Sequence, residues 1–139
     1  MINSFDKIYD KGIWTGKSSG CGSNYSYINR KLINKINDII SQNDIINVCD
    51  FGCGDFNIMR HLNFTNINYT GIDVVQSIID KNKQYENKNI KFIKNEVIPK
   101  NYDLIIVKDV LQHYEDEEVI NLLTTLIENN KFVFCINGY

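Results

Sequence analysis

Several features are scarce or missing in this chain of 139 residues, and each absence excludes a class of protein. A single proline, Pro99, and no long linker leave no visible domain boundary, so one domain is expected. No uninterrupted apolar run could span a membrane, and the N-terminus lacks the charged and apolar stretches of a secretory signal. The four cysteines form no CxxC pair, which favours free thiols in a reducing compartment. A cytoplasmic location follows, or host cytoplasm or virion for a viral source.

The chain also lacks a charge excess of either sign. It has 15 basic and 17 acidic side chains, for a formal net charge of −2. A nearly neutral domain has no general attraction to phosphate backbones or anionic lipid, so neither nucleic acid nor a membrane is an expected partner. No His, Cys or Asp cluster has zinc spacing, and no metal is expected. The acidic run 115–118 is interpreted as a solvated helix start, with a magnesium site as the alternative.

Short apolar runs alternate with segments of helical spacing along the chain. The runs predict parallel strands over 45–51, 68–72, 90–93, 102–107 and 131–136. Helices are predicted over 29–40, 75–83 and 117–128, and a further helix is expected to begin near Asn57. Asp116 is the expected N-cap of the helix over 117–128. The core face predicted for that helix consists of Val119, Ile120, Leu123 and Ile127. This alternation predicts an α/β fold with a doubly wound, mostly parallel Rossmann-like sheet.

A glycine-containing turn follows the first predicted strand, in the sequence VCDFGCGDFN of residues 48–57. Gly52 and Gly54 would let the backbone turn tightly and approach a ligand closely. A dinucleotide fingerprint would have a third glycine where Asn57 stands. Asp50 would repel a pyrophosphate, but it could organise the loop around a cationic amino-acid ligand. An ordinary strand–helix turn is the alternative interpretation.

Asp73 directly follows the second predicted strand, about 20 residues after the first glycine. At that spacing a doubly wound fold places the acidic residue that binds the two hydroxyls of a ribose. A carboxylate can accept both hydrogen bonds of a vicinal diol. Ribose binding is therefore predicted for Asp73, and the alternative is a surface aspartate at a strand end.

Three segments together resemble the class I S-adenosylmethionine-dependent methyltransferases: DFGCGD at 50–55, GID at 71–73 and KDVLQH at 108–113. The Gly/Ser-rich stretch at 13–23 resembles a subgroup of small bacterial and viral methyltransferases. The resemblance implies S-adenosyl-L-methionine as cofactor and S-adenosyl-L-homocysteine as product. Methyltransferases of this class usually continue past the fifth strand, whereas this chain ends at Tyr139. The C-terminal strands are therefore expected to be lacking, which leaves an open sheet edge and favours a homodimer through it.

The resemblance also implies a set of cofactor-binding residues around the strand ends. Its members are Asp50, Gly52, Gly54, Asp55, Asp73, Val74, Glu96, Lys108 and Asp109. The two glycines would pass beneath the methionine part, and the aspartates at 50 and 55 would order that loop. Asp73 would take the ribose, Val74 would flank the adenine and Glu96 would lie near its amino group.

The segment after the fourth predicted strand limits the possible chemistry. It contains neither the Asp/Asn-Pro-Pro-Tyr/Phe sequence of amino-methylating DNA enzymes nor the Pro-Cys of cytosine C5 enzymes. His113 offers an imidazole that can accept a hydroxyl proton, with Asp109 as its orienter or as the alternative base. The alternative for His113 is a residue that only lines the cofactor or substrate pocket. His61 is interpreted as a surface or packing residue.

Residues 1–28 are predicted to form a lid, and residues 29–139 the cofactor-binding Rossmann-like domain. The substrate and lid candidates are Trp14, Ser18, Gly20, Gly22, Ser23 and Tyr25. A disordered tail is the alternative for this segment. The predicted function is methyl transfer to a small hydroxyl acceptor, such as a sugar or glycan precursor. A cofactor-binding but inactive or partner-dependent subunit is the second hypothesis, and an NAD-type oxidoreductase is the third.

Overall fold

The structure is a computed structural model, and it describes residues 26–137. The helices are α1 (Tyr27–Gln42), α2 (Gln76–Asn82) and α3 (Asp116–Asn129). The strands are β1 (Asn47–Phe51), β2 (Asn68–Asp73), β3 (Ile90–Lys94), β4 (Leu104–Lys108) and β5 (Phe132–Ile136). Short 3₁₀ turns lie at Met59–His61, Lys83–Tyr85 and Leu111–His113. The bounds of these eight elements, all within the described residues, lie within two residues of the predicted ones.

The strands form one parallel sheet in the order β3-β2-β1-β4-β5, which confirms the predicted doubly wound fold. The chain fills one side of β1 with β2 and β3, and then crosses to the other side for β4 and β5. This reversal lies between β1 and β4, where ligands bind in such sheets, outside the carboxyl ends of the strands. Phe51 pairs with Ile72 on one side and Val107 on the other, so these ends lie together.

Alternating apolar side chains cover both faces of the sheet. On β4, Leu104 and Ile106 belong to a core shared with α1, whereas Ile105 and Val107 belong to a second core shared with α3. Because both faces are covered, the strand is apolar from Leu104 to Val107 rather than alternately apolar and polar. None of the helices within residues 26–137 combines the length and apolar character that crossing a bilayer requires.

Two predictions about α3 are wrong in detail. Its N-cap is Glu115 rather than Asp116, and the Glu118 carboxylate accepts a hydrogen bond from the Glu115 N–H at 3.0 Å. Ile120 and Ile127 are 64% and 63% exposed, respectively. The residues that face the core are Val119, Leu122, Leu123 and Leu126. Their three- and four-residue spacing forms a continuous stripe on one side of a helix, and the two exposed isoleucines lie beside it.

The helix expected near Asn57 is absent from the described chain, which has only the 3₁₀ turn at Met59–His61 there. Phe56 adopts a left-handed backbone with φ of 63°, so it cannot itself be part of a right-handed helix. Asn63 then ends the segment, because its side-chain oxygen accepts hydrogen bonds from the Thr65 N–H and hydroxyl. His61 is exposed, as expected of a surface residue.

Candidate active site

The glycine loop, residues 52–55, is fastened to the end of β2. The N–H groups of Gly52 and Cys53 both donate to the Ile72 carbonyl, at 2.8 and 3.0 Å. Gly52 and Gly54 have φ values of 77° and 56°, a conformation in which a Cβ would be strained. The predicted tight turn is therefore present, and its backbone direction depends on both glycines.

Gly52 also allows the segment after β4 to approach the glycine loop. A Cβ built on Gly52 would lie 2.5 Å from the Val110 Cγ2 atom, well inside contact distance. The side chain of Val110 therefore occupies the space that a larger residue at position 52 would need. As a result, the two segments that carry most of the predicted site residues are packed directly against each other.

The Asp73 carboxylate holds the glycine loop from the end of β2. Its Oδ2 atom accepts a hydrogen bond from the Gly54 N–H at 3.0 Å, and its Oδ1 atom accepts one from the Val75 N–H at 3.0 Å. The residue predicted to bind ribose is thus buried, oriented by backbone and next to the glycine loop.

Asp50 lies in β1, beneath the glycine loop, and it is only 2% exposed. The Tyr69 hydroxyl donates a hydrogen bond to its Oδ2 atom at 2.6 Å. Burial raises the pKa of Asp50 to about 7; the Asp73 charge adds to this shift, while the Tyr69 hydrogen bond and the Lys108 charge oppose it. Asp50 is therefore a core carboxyl group that titrates near neutral pH.

An aromatic cluster, which sequence reasoning missed, supports the far end of the loop. Its members are Phe56, Phe64, Tyr69, Tyr85 and Phe92. The Phe56 ring lies 5.0 Å from that of Phe92 and 5.3 Å from that of Tyr69, measured between centroids. Gly71 makes room for this packing, since a Cβ there would lie 2.6 Å from the Phe92 ring. The available signal was the placement of Tyr69 and Gly71 two residues apart, on one face of β2.

Lys108 is the last residue of β4, and Asp109 follows it directly. His113 ends the 3₁₀ turn that comes next. Asp109 has a left-handed backbone with φ of 55°, its N–H donates to the Ile136 carbonyl, and its carboxylate pairs with the Lys108 ammonium. His113 is half-buried. Burial lowers the pKa of His113, and the Asp109 charge opposes that shift. The imidazole is therefore mainly neutral at pH 7, the form that can accept a proton.

The remaining predicted cofactor residues also lie at the carboxyl ends of the strands. The Asp55 carboxylate accepts a hydrogen bond from the Asn57 N–H at 3.1 Å, and Val74 is half-buried directly after β2. Glu96 is exposed just beyond β3, where the Asn95 N–H donates to the Asp73 carbonyl at 3.1 Å. The sheet thus gathers at one end residues that are spread over 50–109 in the sequence.

Most of the predicted lid lies outside the described residues, including all six lid candidates from Trp14 to Tyr25. Of the predicted lid segment, the structure describes Ser26, which is the N-cap of α1, and the first two helical residues, Tyr27 and Ile28. Within residues 26–137, no three His, Cys, Asp or Glu side chains are grouped so as to hold a metal ion.

A buried amide was also missed by sequence reasoning. Asn82, the last residue of α2, donates a hydrogen bond from Nδ2 to the Gly54 carbonyl at 2.7 Å. The signal for its burial was present in the sequence, because Asn82 follows the core residues Ile78 and Ile79 by four and three positions.

Comparison with known proteins gives both sequence and structural relatives. No family model matches the chain. The chain is 31% identical over 107 residues to a protein named ubiquinone biosynthesis O-methyltransferase in two strains of Rickettsia bellii. The matched region is 70% of this chain and 43% of the relative, so the chain spans less than half the length of these curated relatives.

Solved structures of methyltransferases have a similar fold. Magnesium protoporphyrin IX methyltransferase from Synechocystis, crystallised with S-adenosylhomocysteine, aligns with a TM-score of 0.66 and 16% identity, over 92% of this chain and 67% of that one. The methyltransferase domain of bacterial CtHen1 aligns with a TM-score of 0.65 and 18% identity, over 77% of this chain and 65% of that one. In its fold, and over the 107 residues matched to the Rickettsia bellii protein, the chain is similar to class I S-adenosylmethionine-dependent methyltransferases.

Proposed function

We propose that this chain binds S-adenosylmethionine and moves its methyl group to a hydroxyl group of a small acceptor. The observation that carries the proposal is the buried Asp73 carboxylate, fixed by hydrogen bonds between the glycine loop and the end of β2. S-adenosylhomocysteine is the product that this reaction leaves. The homologue named as an O-methyltransferase supports the choice of a hydroxyl acceptor.

The residues around the glycine loop suit a cationic nucleoside better than a pyrophosphate. Asp55 lies in the loop, Asp73 is hydrogen-bonded to it, and the nearby Lys108 ammonium is paired with Asp109. Carboxylates repel a pyrophosphate, but they can accept hydrogen bonds from a ribose diol and attract an ammonium group. Asp73 would hold the ribose, and the two glycines would lie against the methionine part. When bound, the cofactor supplies a methyl group activated by a positively charged sulfur.

His113 is the proposed general base for the acceptor hydroxyl. As a mainly neutral imidazole, it can accept the hydroxyl proton while the oxygen is being methylated. The Asp109 carboxylate stabilises the imidazolium that results, since its charge favours the protonated form of His113. The half-buried position of His113 supports this role, because proton transfer needs access to the acceptor.

The proposal is tested by following methyl transfer from radiolabelled S-adenosylmethionine to panels of phenols, sugars and amines. We expect transfer to a hydroxyl compound, and a loss of kcat of about 10²- to 10⁴-fold in His113→Gln with little change in the KM for the cofactor. His61→Gln is the matched control, because His61 is exposed on a separate turn.

Three results would count against parts of this proposal. Transfer only to amines would overturn the hydroxyl acceptor. An unchanged kcat with a raised acceptor KM in His113→Gln would make His113 a pocket-lining residue instead of a base. Cofactor binding without transfer to any acceptor would support the inactive or partner-dependent subunit.

A further inference from the structure

We propose that Asn82 is a positioning residue that holds the Gly54 backbone in the orientation that cofactor binding requires. This inference rests on the proposed function, because it assigns a role in binding S-adenosylmethionine. It gives α2, which contributes none of the predicted site residues, a direct connection to the glycine loop.

Gly54 is held on both sides of its Cα atom by buried side chains. Its N–H donates to the Asp73 carboxylate at 3.0 Å, and its carbonyl accepts from the Asn82 amide at 2.7 Å. The N–H and the carbonyl belong to successive peptide groups, so two side chains fix the planes of both. Rotation of either peptide would break one of these hydrogen bonds.

Restricting the Gly54 backbone with these two hydrogen bonds is expected to affect ligand affinity. Glycine has the largest conformational freedom of any residue, and Gly54 has a φ of 56°. A loop held in its binding conformation before the ligand arrives does not lose that freedom on binding, which strengthens binding. Asn82 therefore contributes to affinity by restricting the ligand-free loop, without contact with the ligand.

The chemistry at position 82 requires an uncharged donor. Asn82 is 1% exposed, so its amide is shielded from water and a carbonyl left without it would lose a buried hydrogen bond. The alternative donor to this carbonyl is the Cys53 thiol, with its Sγ atom 3.6 Å from the oxygen, and thiols are weak donors. An aspartate of the same shape would bring a carboxylate oxygen against the Gly54 carbonyl.

The test compares Asn82→Ala, Asn82→Gln and Asn130→Ala in calorimetric titrations of S-adenosylhomocysteine. Asn130 is the matched control, because its Nδ2 atom also donates to backbone carbonyls, those of Pro99 and Leu126, but away from the glycine loop. We expect Asn82→Ala to raise the dissociation constant about tenfold or more, Asn82→Gln to restore part of the loss, and Asn130→Ala to change it less than twofold.

A second readout needs no ligand and separates this inference from the proposed function. In hydrogen exchange of the free protein, the amides of Gly54 and Asp55 are expected to exchange faster in Asn82→Ala, but not in Asn130→Ala. If Asn82→Ala does not fold, Asn82→Ser provides the same comparison. The role of Asn82 would be overturned if Asn82→Ala left the exchange of these amides unchanged. It would also be overturned if the wild-type chain bound S-adenosylhomocysteine and Asn82→Ala bound it with the same affinity. Absence of binding to the wild-type chain would instead overturn the proposed function.

Discussion

Asp50 combines complete burial with a carboxyl group whose pKa is raised to about 7. In the unfolded chain its pKa returns to the ordinary value near 4, so the native state binds more protons between these two pH values. The protonated group contributes stability that is fully present below pH about 4 and is lost as the pH rises through about 7. The free energy of unfolding should therefore fall across this interval because of Asp50.

Replacing Asp50 with asparagine should remove this pH dependence. An amide at this position cannot ionise, so we expect the free energy of unfolding to fall less from pH 5 to pH 8 in Asp50→Asn than in the wild-type chain. The upper limit of the difference in slope is about 1.4 kcal/mol per pH unit between the two pKa values. Urea denaturation at both pH values measures it.

Asp103→Asn is the control for this measurement. Backbone hydrogen bonds lower the pKa of Asp103, chiefly the one from the Asn47 N–H, so its contribution to stability is lost only in more acidic solution. Parallel pH profiles for the wild-type chain and Asp50→Asn from pH 5 to 8 would show that Asp50 does not titrate there.

Among single residues, the sequence predicts those whose role follows from their spacing to nearby residues in the chain. Asp73 could be predicted because it ends a recognisable strand at a known spacing from a glycine turn. Asn82 and Tyr69 could not be assigned their partners, because their hydrogen bonds to Gly54 and Asp50 join segments that are distant in sequence. Their roles depend on how α2 and β2 pack, which no local pattern specifies.

The orientation of α3 on the sheet can be tested with two neighbouring residues. Leu126 is completely buried against β4, whereas Ile127 is largely exposed. We expect Leu126→Ala to lower the free energy of unfolding by about 2–5 kcal/mol, because it leaves a cavity, and Ile127→Ala to change it by less than about 0.5 kcal/mol. A larger loss for Ile127→Ala than for Leu126→Ala in urea denaturation would mean that α3 packs through the face predicted from the sequence.

The strands and long helices were predictable because apolar periodicity reflects burial directly. The turn after β1 was not predictable in the same way, because Ile58, Met59 and Leu62 have the spacing of a helix face. All three are buried in a compact turn instead. The left-handed Phe56 begins this turn, and its ring is held in the aromatic cluster. Tertiary packing therefore overrides local helical spacing here.

At the scale of the whole molecule, β5 forms one edge of the sheet in the described part of the chain. Phe132 and Ile136 hydrogen-bond with the segment of β4, through the Asp103 carbonyl and the Asp109 N–H. Because backbone groups alternate in direction along a strand, those of Val133 and Cys135 face outward. Homodimerisation through this edge stays a prediction, and these two residues would carry its hydrogen bonds.

Cys135→Pro tests the dimer with little disturbance of the sheet. Proline removes an outward N–H and is tolerated on edge strands where that group faces solvent. If the edge mediates association, sedimentation velocity should detect a dimer of the wild-type chain and a monomer of Cys135→Pro. Cys135→Ser is the control that retains the N–H. A dimer that persists in the proline variant would place the interface elsewhere.

Binding of S-adenosylmethionine at one end of the sheet, through Asp73 and the glycine loop, is the basis of the proposed function. Its most direct test is calorimetric titration of the wild-type chain with S-adenosylmethionine, S-adenosylhomocysteine and NAD, beside Asp73→Ala and the exposed control Asp80→Ala. We expect micromolar binding of both sulfur compounds by the wild-type chain and Asp80→Ala, loss of binding in Asp73→Ala, and no binding of NAD. Binding of NAD alone, or equal binding of S-adenosylhomocysteine by Asp73→Ala, would contradict this expectation.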